Sequence, residues 1–231
     1  MKVVILCGGK GTRLAEETKV KPKPMVKIGN KPILSHIIDL FSKQGFKDII
    51  LATGYKGEII NKYYKKKKNI SIIYTGKNTL TGGRLLKLSK YLKNEKFFMT
   101  YGDGLADINL KSLLKFHKKH KKLATITAVR PPARFGELIL KENKVLDFKE
   151  KPQTSTGWIN GGFFIFEPKI LSYIKNSKTI LEREPIERLA KNNNLMAYKS
   201  NKFWQCMDTI RDKELLNKIY KKKKAPWTKI Y

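Results

Sequence analysis

Short apolar segments alternate with amphipathic segments along the first half of the chain, and this alternation restricts the fold more than any other feature. The segment Lys2–Cys7 is a continuous apolar run that ends in glycine, which is typical of a buried parallel strand. Apolar residues then recur at helical spacing in Lys31–Gln44, with Pro32 in the first turn. Strand and helix patterns keep alternating as far as Thr100. This order predicts βαβ units and a mostly parallel sheet between layers of helices.

The second half of the chain has a different pattern, in which strand-like segments follow one another with only turns between them. Such a run predicts hairpins and a smaller antiparallel extension. We therefore predict an α/β fold with a Rossmann-like mixed, mostly parallel sheet flanked by helices, built as one domain over residues 1–231. The predicted strands are Lys2–Cys7, Asp48–Ala52, Ile70–Tyr74, Lys96–Thr100, Ala124–Val129, Glu137–Leu140, Val145–Lys149, Ile159–Phe166 and Met196–Ser200. The predicted helices are Lys31–Gln44, Lys56–Tyr64, Gly83–Leu92, Lys111–Lys119, Leu181–Lys191 and Lys213–Lys222.

The formal net charge is +31, from 50 lysines and arginines against 19 aspartates and glutamates. Only seven of the basic residues are arginines, whereas surfaces that read bases rely on the planar guanidinium fork. The lysine runs at 65–68 and 221–224 therefore fit a solvated surface. We expect no nucleic-acid partner, and we expect the positive field to favour anionic substrates such as nucleotides and sugar phosphates.

Three features of the sequence indicate the cytoplasm. No apolar run reaches the roughly 18 residues that a membrane span needs. The first residues run straight into Gly8 and Gly9, without the long apolar stretch and cleavage site of a signal peptide. The two cysteines, Cys7 and Cys206, cannot build a disulfide framework, which fits a reducing compartment. We expect no membrane partner, and neither cysteine is predicted to be a nucleophile.

A glycine-rich loop, Gly8-Gly9-Lys10-Gly11-Thr12-Arg13-Leu14, follows directly on the first predicted strand. Ligands of open α/β sheets bind at the carboxyl ends of the strands, where this loop lies. Glycines allow a phosphate to approach the backbone N–H groups, and Arg13 can add a bidentate clamp. The loop matches neither the Walker A motif nor the Rossmann fingerprint. Taken alone, it could also be a plain structural turn.

Lys23 lies ten residues after Arg13, within Lys21-Pro22-Lys23-Pro24-Met25. The two prolines stiffen this stretch and prevent it from forming a helix. A lysine held rigidly beside a phosphate site can stabilise the charge of a leaving pyrophosphate. Taken alone, Lys23 could also be one more surface lysine.

Together these segments resemble the signature of the sugar-nucleotide pyrophosphorylases, a nucleotidyltransferase family, and within it the glucose-1-phosphate cytidylyltransferases. The resemblance covers nearly the whole chain. It is carried, in order, by the loop 8–14, by 21–25, by Thr81-Gly82-Gly83-Arg84, Tyr101-Gly102-Asp103-Gly104, Phe135-Gly136, Glu150-Lys151-Pro152, Asn160-Gly161-Gly162-Phe163-Phe164, Phe203-Trp204-Gln205, Met207-Asp208-Thr209 and Lys224-Ala225-Pro226-Trp227.

The resemblance implies a fold of the nucleotide-diphospho-sugar transferase type, a homo-oligomer and the transfer of CMP from CTP to a sugar 1-phosphate, with glucose 1-phosphate as the expected acceptor. It implies a single in-line displacement with Mg²⁺ as the cofactor, held by Asp103 and Asp208, and with Arg13 and Lys23 as the catalytic residues. The implied nucleotide-binding residues are Leu6, Gly8, Gly9, Gly11, Thr12, Arg13, Lys23, Thr81, Gly82 and Gly83. The implied acceptor-binding residues are Gly136, Glu150, Lys151, Asn160 and Gly161.

Several alternatives stay open at this stage. The link Lys65–Asn69 is short where glucose-1-phosphate cytidylyltransferases carry an insertion, so another phosphorylated acceptor is possible. The same chemistry with dTTP or UTP is also possible. A metal-dependent glycosyltransferase usually has an Asp-x-Asp pair, whereas this chain has Gly102-Asp103-Gly104. A basic nucleic-acid-binding module would release no pyrophosphate.

The remaining titratable residues are assigned no role in the chemistry. His36, His117 and His120 show no metal-binding spacing, and the last two stand among lysines and are predicted to be exposed. Asp107 and Asp212 are predicted to be surface or helix-capping carboxylates.

Overall fold

A seven-stranded sheet forms the centre of the computed structural model, which describes residues 1–131, 137–149, 157–222 and 225–231. The strands are β1 (Val3–Cys7), β2 (Lys27–Ile28), β3 (Lys31–Pro32), β4 (Ile49–Thr53), β5 (Ile70–Tyr74), β6 (Phe97–Tyr101), β7 (Gly104–Ala106), β8 (Ala124–Val129), β9 (Glu137–Lys141), β10 (Lys144–Lys149), β11 (Ile159–Phe166), β12 (Leu195–Ser200) and β13 (Trp204–Cys206). The helices are α1 (Ala15–Thr18), α2 (Ile33–Lys43), α3 (Gly57–Tyr64), α4 (Thr81–Lys87), α5 (Ser89–Leu92), α6 (Leu110–His120), α7 (Glu184–Lys191) and α8 (Ile210–Lys221).

The order of strands in the large sheet is β12-β8-β11-β6-β1-β4-β5. Strand β11 runs antiparallel to both of its neighbours, and the other pairs in this sheet are parallel. Three small antiparallel pairs accompany it, namely β9 with β10, β7 with β13, and β2 with β3. The predicted fold class, a mostly parallel sheet with a smaller antiparallel extension, is therefore confirmed.

Most predicted elements appear within a few residues of their expected bounds, but some predictions were wrong in detail. The helix predicted at Gly83–Leu92 is two helices, α4 and α5, joined at Leu88. The sequence pattern did not predict β2, β3, β7 and β13, which are two or three residues long. Such strands are too short to show a period, and they depend on contacts with segments far away in the chain.

Apolar side chains alternate along β1 and build a core on each face of the sheet. Val3, Ile5 and Cys7 belong to one core, which α2, α3, α6 and α8 cover. Val4 and Leu6 belong to the other, which α4, α5 and α7 cover. Both faces of β1 are thus buried, as its uninterrupted apolar sequence predicts. Within the described ranges, no helix has the length and apolar character needed to cross a membrane.

The carboxyl-terminal segment closes one of these cores through Trp227, which is 1% exposed. Its indole N–H donates to Nδ1 of His36 at 3.2 Å. Burial lowers the pKa of His36, so the ring is neutral and its Nε2–H donates to the Ile28 carbonyl at 2.9 Å. Trp227 therefore contributes both apolar area and a satisfied buried hydrogen bond.

Two titratable residues that were predicted to lie at the surface are buried. Asp107 is 4% exposed and accepts hydrogen bonds from the Lys229 ammonium at 2.8 Å and from the Tyr231 hydroxyl. His117 is 1% exposed and contacts Thr125 Oγ1 at 2.8 Å and Glu167 at 3.2 Å. Neighbouring lysines in sequence say nothing about the opposite face of a helix, which is why His117 was misjudged.

Replacing Trp227 with alanine should lower the free energy of unfolding by about 3–5 kcal/mol, because it leaves a cavity and removes the bond to His36. Urea denaturation followed by circular dichroism measures the change. Trp158→Ala is the matched control, since Trp158 is partly exposed and stacks under Arg130. It should cost less than about 1 kcal/mol. Equal losses in the two variants would contradict the burial described here.

Candidate active site

A cleft of about 350 Å³ lies at the carboxyl ends of β1 and β6. Open α/β sheets bind their ligands at this end of the strands. Its walls come from the end of β1, the glycine-rich loop, the start of α4 and the turn after β6. The lining residues are Leu6, Cys7, Gly8, Gly9, Gly11, Arg13, Lys23, Pro24, Thr79, Leu80, Thr81, Arg84, Tyr101, Gly102 and Asp103.

The Lys23 ammonium joins two carboxylates beside this cleft. Lys23 Nζ donates to Asp103 Oδ2 at 2.7 Å and to Asp208 Oδ1 at 2.5 Å. Lys23 opens a 3₁₀ turn between Pro22 and Pro24 and is 8% exposed. The prolines and the burial fix its side chain against the two aspartates. The structure thus brings together three predicted site residues whose positions in the chain are up to 185 residues apart.

The charges of this cluster stabilise one another. Burial acts to lower the pKa of Lys23, but the Asp103 and Asp208 carboxylates outweigh it and hold that pKa above its ordinary value. Burial acts to raise the pKa of Asp208, but Lys23 and Arg13 outweigh it and hold that pKa below its ordinary value. Near neutral pH the lysine is therefore a cation and Asp208 an anion.

A two-stranded ribbon, β7 with β13, positions the two aspartates. Asp103 immediately precedes β7, and Asp208 comes two residues after the end of β13. Gly104 pairs with Cys206, and the Met207 N–H donates to the Asp103 carbonyl at 2.9 Å. Asp212 then accepts from the Asp208 N–H at 3.0 Å and caps α8 together with Thr209. The ribbon and the cap fix the backbone from which each carboxylate projects.

Arg13 reaches the same cluster from the glycine-rich loop. Its Nη1 donates to Asp208 Oδ2 at 2.6 Å, and its side chain is 72% exposed. One exposed ion pair contributes little to stability. Arg13 can therefore turn from Asp208 to an incoming phosphate at small cost. Thr12, its neighbour, is exposed at the start of a 3₁₀ turn.

Arg84 was not predicted as a site residue, yet its guanidinium lines the cleft. It donates to the carbonyls of Gly8 at 2.9 Å, Thr53 at 3.1 Å and Gly76 at 3.0 Å, and to Thr75 Oγ1 at 2.6 Å. These groups lie at the end of β4 and directly after the ends of β1 and β5. Arg84 therefore ties three strand ends together.

The charge of Arg84 has no carboxylate counterpart among the described residues, whose ion pairs do not include it. Burial lowers the pKa of Arg84, but a guanidinium remains protonated in proteins. A buried cation that faces a cleft favours an anionic ligand there. Arg84 stands directly after Thr81-Gly82-Gly83 and is one of only seven arginines, a signal that could have identified it.

The three glycines of the glycine-rich loop have different surroundings. A β-carbon at Gly8 would lie 2.0 Å from Arg84 Nη1, so Gly8 makes room for the guanidinium. Gly11 has a φ of +65° and lies against the Lys23 side chain, where a β-carbon would be 2.9 Å away. Gly9 faces open space. The loop backbone thus packs on the side chain of Arg84 at Gly8 and on that of Lys23 at Gly11. Beside Gly9 it remains accessible from the cleft.

The predicted nucleotide-binding segment at the start of α4 reaches the cleft only in part. Leu80 and Thr81 line the cleft. Gly82 and Gly83 instead pack against the 177–179 loop, where β-carbons would lie 3.0 Å from the Thr179 carbonyl and 2.3 Å from that of Ser177. Their small size therefore serves helix packing, and the structure brings Thr81 to the cleft.

The predicted acceptor residues Asn160 and Gly161 lie at an irregularity in β11, between Asn160 and Phe164. The indole N–H of Trp204 donates to the Gly161 carbonyl at 2.7 Å, and Asn160 Oδ1 accepts from the Gly162 N–H at 2.8 Å. The Asn160 side chain is exposed. This segment is thus held in place while Asn160 stays available. The other predicted acceptor residues, Gly136, Glu150 and Lys151, lie outside the described residues.

The donor set at Asp103 and Asp208 fits a divalent cation. Both carboxylate oxygens are within 2.7 Å of one point, the Lys23 ammonium, so they can reach a single ion. No cluster of three or more metal-binding side chains is present in the part of the chain that the structure describes. Mg²⁺ commonly takes one or two protein carboxylates and completes its octahedron with waters and phosphate oxygens. The residues present therefore suit a nucleotide-bound magnesium ion.

Replacing Gly8 with alanine should displace the Arg84 guanidinium from its hydrogen bonds and lower the free energy of unfolding by about 2 kcal/mol or more. Gly9→Ala is the control because a β-carbon there meets no atom within 4 Å, and it should cost no more than about 0.5 kcal/mol. Urea denaturation of both variants measures the difference. A Gly8→Ala protein as stable as the Gly9→Ala protein would refute the assigned role.

Comparison with known proteins places this chain in a family. The family model of the nucleotidyl transferases matches residues 2–212. Glucose-1-phosphate cytidylyltransferase of Salmonella typhimurium is 45% identical over 253 aligned positions, covering 98% of each chain. The probable glucose-1-phosphate cytidylyltransferase of Bacillus subtilis is 39% identical over 252 positions, covering 98% of this chain and 99% of the relative. Both alignments exceed the 231 residues of this chain, which agrees with the insertion expected in these relatives.

A solved structure shares the fold of this chain. HddC from Yersinia pseudotuberculosis superposes with a TM-score of 0.75 and is 27% identical, covering 95% of this chain and 99% of that one. The family model and the curated relatives confirm the resemblance to sugar-nucleotide pyrophosphorylases that the sequence motifs showed. The chain is an enzyme that belongs to the nucleotidyl transferase family.

Proposed function

We propose that this enzyme transfers CMP from CTP to α-D-glucose 1-phosphate, forming CDP-glucose and releasing pyrophosphate. The observation that carries the proposal is the near full-length similarity, at 45% identity, to a glucose-1-phosphate cytidylyltransferase. The cluster of Lys23, Asp103 and Asp208 at the mouth of the cleft supports it, because it supplies the charges that a metal-bound triphosphate requires.

The proposed chemistry is a single in-line displacement. A phosphate oxygen of glucose 1-phosphate attacks the α-phosphorus of CTP, a new P–O bond forms, and the bond to the β-phosphate oxygen breaks. The attacking oxygen is already anionic near neutral pH, so no protein base is required. Catalysis then consists of positioning and charge stabilisation.

The cysteines near the cleft do not offer a protein nucleophile. Burial raises the pKa of the Cys7 thiol. Burial and the neighbouring Asp208 carboxylate raise the pKa of Cys206 to about 12. Both side chains are therefore thiols at neutral pH, and a thiol is a poor nucleophile. This supports direct transfer between the two substrates.

The cations around the cleft have separate roles in this proposal. Arg13 and Lys23 hold the triphosphate and offset the charge that develops on the leaving pyrophosphate. The free N–H groups near Gly9 bind phosphate oxygens. Arg84 holds the loops and adds positive potential. Lys151 binds the phosphate of the acceptor, a role that rests on the sequence resemblance alone.

Asp103 and Asp208 would hold a magnesium ion on the side of the triphosphate. When bound, this ion neutralises phosphate charge and aligns the reacting groups. Lys23 now bridges both carboxylates, and it would turn one or more of its N–H donors toward the phosphates. We also propose a cytoplasmic location, which the unpaired cysteines Cys7 and Cys206 support.

A pyrophosphate-release assay tests the function directly. CTP, dTTP, UTP and GTP are crossed with a panel of sugar 1-phosphates in the presence of Mg²⁺. We expect the highest kcat/KM for CTP with glucose 1-phosphate, and no release after chelation with EDTA. Release with dTTP alone would overturn the base assignment. No release with any pair, together with salt-sensitive binding of oligonucleotides, would favour the nucleic-acid-binding alternative.

Asp103→Asn and Asp208→Asn should each reduce kcat/KM by about 100-fold or more, because each removes a negative ligand from the metal and a partner from Lys23. Asp48→Asn is the control, since Asp48 precedes β4 at the opposite end of the sheet. It should keep wild-type kinetics. Full magnesium-dependent activity of either site variant would remove that residue from the mechanism.

A further inference from the structure

Strand β5 forms one edge of the large sheet, where β4 is its only strand partner among the described residues. The Asn69 carbonyl accepts a hydrogen bond from β4, and the Thr75 N–H donates one to β4. Backbone groups of successive residues in a strand point in opposite directions. The even-numbered residues Ile70, Ile72 and Tyr74 therefore direct their N–H and C=O groups away from the sheet. These groups are free to pair with a further strand.

Strand β5 has none of the features by which proteins usually block a sheet edge, which are a lysine, a proline or a bulge. Its sequence is Ile-Ser-Ile-Ile-Tyr, and its register with β4 is regular. At the opposite edge of the sheet, β12 carries the exposed Lys199. Tyr74 is 67% exposed at the end of β5, and exposed aromatic side chains are enriched where proteins contact one another.

Lysines lie at both ends of this edge strand. Between Glu58 and Glu95 the sequence has nine lysines, one arginine and no acidic residue. Lys65–Lys68 lead into β5, and Lys87 Nζ would lie 3.2 Å from a β-carbon at Gly76, two residues after β5. All nine lysines are exposed, and none of them forms an ion pair with a described residue. The edge is therefore positively charged without a local counter-charge.

An open edge between groups of cations favours one kind of occupant. A second copy of this chain would bring its own lysines against them, and like charges repel at short range. A nucleic acid would use the positive charge but would leave the backbone groups of the edge unpaired. An extended peptide with acidic residues uses both features, because its backbone pairs with the strand and its carboxylates meet the lysines.

We propose that β5 binds an extended acidic segment of a partner protein, which adds a strand to this edge of the sheet. A segment that covers β5 needs about five residues in the extended conformation. Acidic residues at its two ends then lie beside Lys65–Lys68 and beside Lys87. None of these lysines lines the catalytic cleft, so the proposed surface is separate from the site of nucleotidyl transfer.

A labelled peptide tests whether the backbone of β5 takes part. The probe carries fluorescein, a core of about five alternating valines and threonines, and several glutamates at each end. Fluorescence anisotropy at about 0.15 M salt measures its Kd. Tyr74→Pro removes an outward N–H, which an edge strand tolerates, and Tyr74→Ala is the matched control that loses only the ring. We expect Tyr74→Pro to bind the probe about 5-fold more weakly than Tyr74→Ala, as loss of one hydrogen bond does.

Two pairs of exposed lysines test the position of the charge. Lys66→Glu with Lys67→Glu should weaken binding of the probe by about 10-fold or more, because it places carboxylates against carboxylates. Lys118→Glu with Lys119→Glu changes the net charge equally and should weaken binding less than about 2-fold. These control residues lie on α6, whose His117 contacts β8. Strand β8 is five strand spacings, about 24 Å, from β5, well beyond the screening length of about 8 Å.

Equal weakening by the two lysine pairs would show plain charge attraction and overturn the proposal. So would an unchanged Kd for a probe with prolines in its core, an outcome that decides the question even if Tyr74→Pro fails to fold. A duplex oligonucleotide that binds more tightly than the probe would assign the surface to nucleic acid, and self-association abolished by Tyr74→Pro would assign it to a second copy. Either result would also overturn the proposal. The assay contains no substrate, so its failure leaves the proposed function intact.

Discussion

One buried ammonium held between two carboxylates is the interaction on which the site depends. Lys23 is nearly inaccessible to solvent and contacts both Asp103 and Asp208. A buried charge is costly unless it is paired and hydrogen-bonded, so each member of this cluster needs the other two. The rigid 3₁₀ turn positions Lys23, and the ribbon of β7 with β13 positions Asp103 and Asp208. A fold that moved any of the three segments would leave an unpaired charge beside the cleft.

Other charged and polar side chains of the cleft are also held in fixed positions by hydrogen bonds. Arg84 ties the carboxyl ends of β1, β4 and β5 together and adds a cation without a carboxylate partner among the described residues. Thr81 and Tyr101, which line the cleft, both donate hydrogen bonds to the Glu182 carboxylate. The enzyme therefore needs no reactive nucleophile of its own. It brings two anionic substrates together and compensates their charge, which is the form of catalysis expected for nucleotidyl transfer.

The sequence predicted the parts of this structure that depend on local pattern. The apolar run of β1, the glycine-rich loop behind it and the rigid Lys23 segment were identifiable from periodicity, glycine and proline. Asp103 and Asp208 followed from family resemblance. Arg84, Tyr101 and Glu182 were missed because their roles come from contacts with segments 76 to 101 residues away. Gly82 and Gly83 show a related limit of sequence pattern, since a glycine that packs against a neighbouring loop looks in sequence like one that approaches a ligand.

The most direct test of the account is the position of the metal in a crystal of the enzyme with Mn²⁺ and a non-hydrolysable CTP analogue. Anomalous scattering locates the ion without reference to the surrounding atoms. The account predicts one strong peak at ligand distance, about 2 Å, from a carboxylate oxygen of both Asp103 and Asp208, with the Lys23 ammonium turned toward the phosphates. A nucleotide bound in the cleft with its metal held by other residues, or with Lys23 still bridging both aspartates, would contradict it.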